Sequence, residues 1–152
     1  MKPCIYQLLL LLISTMVLHA RLGETEDQCI TRYGHPLEKI SVEGLPAEVF
    51  EKGDFLVCVE FLNARAASIA YFKRDHSAID DDEKEVLRLI EGNNSPWILK
   101  QQKSPDQFWA RADGASCMYC FSTHELLFDS SEYWKQQRKQ DENKIDREMN
   151  GL

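Results

Sequence analysis

The stretch Phe55-Leu-Val-Cys-Val-Glu-Phe-Leu-Asn-Ala-Arg-Ala-Ala-Ser-Ile-Ala-Tyr-Phe72 decides the fold class. In its first part Phe55, Val57, Val59 and Phe61 share one parity and Leu56, Cys58, Glu60 and Leu62 the other, the period-two pattern of a strand with one face buried. The second part sets Ala67, Ile69 and Tyr71 against Ser68, Ala70 and Phe72. Its small residues leave room for a helix packed close. Asn63-Ala64-Arg65 joins the two, and Asn63 tolerates the left-handed backbone of a tight turn, so the expectation is an antiparallel hairpin.

Downstream, Asp80 and Glu83 have the spacing of a capping box, and Asp81 and Asp82 add negative charge at the favourable end of a helix dipole. Val86, Leu87, Leu89 and Ile90 supply an apolar face and Gly92 a stop, predicting a helix over 81–91. The segment 95–104 reads as a polar connection pinned by Trp97, Ile98 and Leu99. A second hairpin follows, from Gln107 to Ala112 and from Ala115 to Phe121, around Asp113-Gly114. Leu126 to Phe128 reads as a further strand and the candidate sheet edge. Beyond it, 132–148 is dense in charge, with Arg138/Glu142 and Lys144/Glu148 spaced to pair on a solvated helix.

Upstream, Thr25 and Gln28 form another capping box, predicting a short helix over 26–33 that Gly34 and Pro36 end. Between 37 and 51 the signals mix. Ile40 and Val42 alternate like a strand, whereas Pro46 to Phe50 suits a helical turn. The sum is an α+β fold: an antiparallel sheet of about five strands, the 81–91 helix on one face, a short N-terminal helix and a charged C-terminal helix. Residues 21–131 form the single domain and 132–152 the tail.

Residues 1–20 read as a leader. Lys2 precedes an apolar block from Ile5 to Leu18, and the small residue Ala20 closes it, as in a secretory signal peptide. A membrane anchor is the other reading, but the block is shorter than the roughly 20 residues a spanning helix needs. The expected location is periplasmic or secreted, with no membrane insertion after cleavage. The chain carries 18 basic and 25 acidic residues, a net charge of −7. That balance argues against nucleic acid as a partner, because nucleic acid requires a basic footprint.

Four cysteines follow the leader: Cys29, Cys58, Cys117 and Cys120. An oxidising compartment makes disulfides plausible, and Cys29 with Cys58 is the candidate pair, both lying among apolar neighbours. Cys117 and Cys120 have the Cys-x-x-Cys spacing of a thiol redox motif. Such motifs begin a helix, whereas this one falls within a predicted strand, where a spacing of three sends the side chains to opposite faces. Zinc requires four convergent ligands, and no second close pair exists. His35, His76 and His124 lie beside turns with no metal-binding spacing, no nucleophile motif surrounds a serine, and no glycine-rich phosphate loop is present. No catalytic residue, metal or cofactor is therefore expected.

The chain resembles a group of small exported proteins of unknown function from Gram-negative bacteria. The resemblance rests on Cys29 with Thr31-Arg32-Tyr33-Gly34 and Pro36, on Phe61 to Lys73 with the acid-capped helix after it, and on Trp109-Ala110-Arg111-Ala112-Asp113-Gly114. The chain departs from that group in Ala64, where a glycine is expected, and in Cys117 and Cys120. The functional expectation is non-catalytic binding of another protein in the cell envelope, with Leu126, Phe128, Tyr133 and Trp134 as candidate binding residues. Thiol redox chemistry at Cys117 and Cys120 is the alternative.

Overall fold

The computed structural model describes residues 21–92, 95–103 and 106–150. The leader expected at 1–20 lies outside them. Among the described residues the elements run α1 (Glu26–Tyr33), β1 (Glu38–Val42), β2 (Leu45–Lys52), β3 (Phe55–Leu62), β4 (Arg65–Lys73), α2 (Asp81–Gly92), β5 (Ile98–Lys103), β6 (Asp106–Ala110), β7 (Ser116–Cys120), β8 (Glu125–Asp129) and α3 (Ser131–Asn150). The strands form one antiparallel sheet in the order β1-β2-β3-β4-β8-β7-β6-β5. This order repeats one plan twice: a helix followed by a four-stranded meander, the two meanders joined where their last strands, β4 and β8, pair.

The sheet corrects the expectation of about five strands. It has eight, and the molecule is mostly sheet. Two strands had been hidden for physical reasons. In β2, Pro46 suggested a helical turn; it sits at the start of the strand opposite Ser41, before pairing with β3 begins at Ala47, so its missing amide takes no bond from β3. The polar sequence Leu-Lys-Gln-Gln-Lys of β5 belongs to an edge strand with one neighbour, which does not alternate as an interior strand does. The edge expected at Leu126 to Phe128 is also corrected. Strand β8 lies between β4 and β7, and Leu126 and Phe128 are both 0% exposed because β8 is the seam between the two meanders.

Local signals operate as the residues dictate. The Thr25–Gln28 capping box is complete, and at α2 the Glu83 N–H donates to Asp80 Oδ1 at 2.8 Å while the Asp80 N–H donates to Glu83 Oε2 at 2.9 Å. In the β3–β4 turn Asn63 and Ala64 both take positive φ, 53° and 59°, so an alanine occupies a left-handed position that favours glycine.

The sheet faces are unequally covered. On one, Phe50, Val57, Val59, Ile69, Cys117, Tyr119, Leu126 and Phe128 form the main core beneath Cys29 and Tyr33 of α1 and Leu87 of α2. The other face holds a smaller cluster in which Tyr133 of α3 packs on Leu45, Leu62 and Ala67. From Asp141 onward α3 is exposed on all sides.

Candidate docking edge

Helix α2 is rotated from its expected setting, and that rotation builds the site. Val86 and Leu89, two of the four residues read as its apolar face, point outward, Leu89 at 67% exposure. The inward stripe is Lys84, Leu87, Arg88 and Glu91. Distant partners make this setting favourable. Lys84 donates to Gln107 Oε1 at 3.2 Å and lies 4.3 Å from the Tyr119 ring centre, Arg88 stacks 4.2 Å over the Trp109 ring, and Glu91 accepts the Tyr71 hydroxyl at 2.7 Å. The helix is held by Leu87 and by the polar tips of long side chains whose stems cover the sheet, while Val86 and Leu89 face solvent.

Beside that outward face runs β5, with Ile98 and Leu99 exposed. Between them lies a groove of about 540 Å³ lined by Arg88, Leu89, Pro96, Trp97, Leu99 and Trp109, with Glu85, Gly92 and Ser95 completing it. Its wall is fixed: the Trp97 indole N–H donates to the Arg88 carbonyl at 2.9 Å, Arg111 lies 4.9 Å over the Trp97 ring, and a side chain at Gly92 would meet Trp97 at 3.5 Å. Strand β5 ends the sheet, so one row of its backbone amides and carbonyls has no strand opposite. An open strand edge, the exposed Leu89 and Leu99 and an aromatic wall thus meet in one groove, whereas Ile98, opposite Ala110, lies on the other face of the sheet.

The opposite edge strand is anchored by side chains. Lys39 of β1 bridges Glu26 of α1 and Glu48 of β2, both at 2.6 Å, and ties the edge strand to the helix above it. A separate cleft of about 450 Å³ near Arg65, Arg111 and Ser130 has its main cation engaged: Arg111 donates to Asp113 Oδ2 and to the Glu91 carbonyl, both at 2.7 Å.

The residues singled out from sequence are dispersed. Leu126 and Phe128 are core. Tyr133 is buried with its hydroxyl on Glu60 Oε2 at 3.2 Å, and Trp134, 42% exposed, donates to Ser116 Oγ at 2.7 Å. Cys29 and Cys58 are both free thiols here, Cys29 within the main core and Cys58 turned by strand alternation to the opposite face from Val57 and Val59. Burial pushes the Cys29 thiol up to about 12 and the Cys58 thiol up to about 11. Cys117 and Cys120 also part to opposite faces. Burial holds the Cys117 thiol well above its ordinary value, whereas hydrogen bonds from Ser122 and Thr123 lower that of Cys120. His124 directs Nδ1 to the His76 carbonyl at 2.9 Å, and its ring packs edge-on to Phe121.

One polar chain in the main core was not foreseen. The Tyr33 and Tyr71 hydroxyls lie 2.8 Å apart and Tyr71 donates to Glu91, linking α1, β4 and α2. Burial raises the Glu91 carboxyl to about 8, so it is protonated at neutral pH, and its Oε2 has no partner. Among the described residues these three line neither groove above, and their hydrogen bonds tie the two halves together. No known family model matches the chain, and neither a curated protein nor a solved structure is detectably similar to it.

Proposed function

We propose that this is an exported, non-catalytic protein that binds an extended, acidic segment of another protein along β5. The observation that carries the reading is the exposed Leu89 of α2 beside the exposed Leu99 of β5, in one groove at the open end of the sheet. An added strand would satisfy the unpaired amides of β5 and lay alternate side chains into the groove walled by Trp97 and Trp109. Charge selects the partner. Strand β5 holds two lysines and no acid in a chain of net charge −7, so a second copy pairing antiparallel through β5 would set basic strands together, whereas an acidic strand is attracted. Export is supported by the leader pattern in residues 1–20 and by the resemblance to small exported proteins.

The test places a photoreactive amino acid at Leu99, and separately at Ser41 of β1, in the chain expressed in its native host. Leu99 should yield one discrete adduct with an acidic protein, Ser41 none, and Lys100→Glu should remove the Leu99 adduct. Equal labelling from both edges, or an adduct that survives Lys100→Glu, would contradict the reading.

A further inference from the structure

The second face of the sheet carries a row of polar side chains on an otherwise apolar surface. Glu60 of β3 is in register with Ser68 of β4, Ser68 with Asp129 of β8, and Asp129 with Ser116 of β7. All four are buried, at 8% exposure or less. What shelters the row is the first turn of α3. Tyr133 closes one end with its hydroxyl on Glu60 Oε2 at 3.2 Å, and Trp134 the other with its indole N–H on Ser116 Oγ at 2.7 Å. Ser130 holds the turn in place: its hydroxyl accepts the Tyr133 N–H at 3.1 Å and its own N–H donates to the Ala67 carbonyl at 2.8 Å.

Little else attaches this helix. Past Tyr133 its only half-buried residues are Gln136, Gln137 and Gln140, and everything after them is exposed. A helix polar on all sides gains little from burial and docks through its few specific contacts. One contact of α3 falls on a carboxyl, that of Glu60, and one on the Ser116 hydroxyl; the row's second carboxyl, Asp129, is hydrogen-bonded by Ser68 and covered by the turn, and its Oδ1 is buried with no partner. A buried carboxyl in that state is tolerated when neutral and costly when charged.

We propose that α3 is a pH-responsive cover, its first turn closing over the row Glu60–Ser68–Asp129–Ser116 while the two carboxyls are neutral and lifting as they ionise. The charges acting on Glu60 include Asp129, Glu43 of the β1–β2 turn and Glu125 of β8, and Glu125 acts on Asp129 as well. All are of one sign and disfavour ionisation. The hydroxyl of Tyr133 donating to Glu60 and that of Ser68 donating to Asp129 favour the charged forms, burial outweighs both, and the helix's Lys135 and Arg138 are exposed. The α3 dipole favours the charged form of Asp129 and burial opposes it, so Glu60 carries more of the effect. Burial raises Glu60 to about 7 and Asp129 to about 6. With the turn lifted both carboxyls regain water and titrate in the ordinary carboxylate range. The closed form keeps its protons to higher pH than the open form, so closure is strongest below about pH 4.5 and weakens as pH rises towards 7, by roughly tenfold or more.

The full chain labelled with 5-fluorotryptophan tests this. The 19F resonance of Trp134, identified by its loss in Trp134→Phe, should move towards the solvent-exposed position between pH 4.5 and 7.5, while those of Trp97 and Trp109 stay in place. Glu60→Gln with Asp129→Asn should hold Trp134 in its closed position across that range. A Trp134 resonance that does not move in the unmodified chain overturns the proposal, as does one that moves equally in the double variant or in step with Trp97 and Trp109.

Discussion

The two halves of the molecule share one plan and differ in how each finishes its outer strand. In the first, α1 lies over a four-stranded meander whose outer strand β1 is fastened by Lys39 to Glu26 and Glu48. In the second, α2 lies over the corresponding meander, yet its Val86 and Leu89 face solvent beside the open strand β5. The first half anchors its outer strand to a helix by side-chain charges, although both end strands have a neighbour on one side only. The second lacks such an anchor and leaves an apolar groove between Leu89 and Leu99.

The largest effect should come from the seam that makes the halves one body. Phe128 is fully buried in β8, stacked edge-on to Tyr71 of β4 at 5.9 Å and against Trp97 at 5.5 Å. Phe128→Ala should cost about 3–5 kcal/mol. Urea unfolding followed by tryptophan emission and by far-ultraviolet circular dichroism should remain a single coincident transition; two separate transitions would break the description of the halves as one cooperative unit.

Next comes Glu91, through which α2 is tied to Tyr71. Its folded carboxyl titrates near 8 against 4.5 for the free group, so the unfolded chain releases the proton first as pH rises. Stability from this group is full below about pH 4.5, falls between pH 4.5 and 8, and is lowest above 8. Glu91→Gln keeps an acceptor for Tyr71 and removes the titration. The variant should gain on the unmodified chain by a few kcal/mol, as an order of magnitude, on going from pH 4 to pH 9. Equal pH slopes in denaturant titrations of the two proteins would refute this.

A smaller gain is expected in the first half. Ala64 sits at φ 59° in the β3–β4 turn, and Ala64→Gly should add about 1 kcal/mol by thermal melting, because glycine adopts that backbone without a side-chain clash. Smallest of all is the effect of Leu99→Asp on stability. Leu99 is 47% exposed at the open edge, and the change should stay within about 0.5 kcal/mol while abolishing partner capture.

What the sequence disclosed was what neighbours along the chain decide. Thr25 with Gln28, Asp80 with Glu83 and the alternation from Phe55 to Phe61 are complete within a few residues, so the helix starts and the first hairpin were legible. What escaped depended on distant partners. The inward setting of Lys84, Arg88 and Glu91 exists because Tyr119, Trp109 and Tyr71 receive them, and no local pattern announces that. Strand β5 was missed because an edge does not need to alternate, and Leu126 to Phe128 was misplaced because strand order is set by long-range pairing. One signal for the candidate edge was present. Val86 and Leu89 lie close in sequence to Ile98 and Leu99, more aliphatic residues than one helix and one polar connection can bury.

Amide hydrogen exchange measured with and without the captured partner tests the docking edge most directly. Strand addition predicts that amides within Ile98–Lys103 become strongly protected in the complex, while those of Glu38–Val42 exchange as in the free protein. Protection at β1, or a complex that leaves β5 exchanging freely, would contradict it.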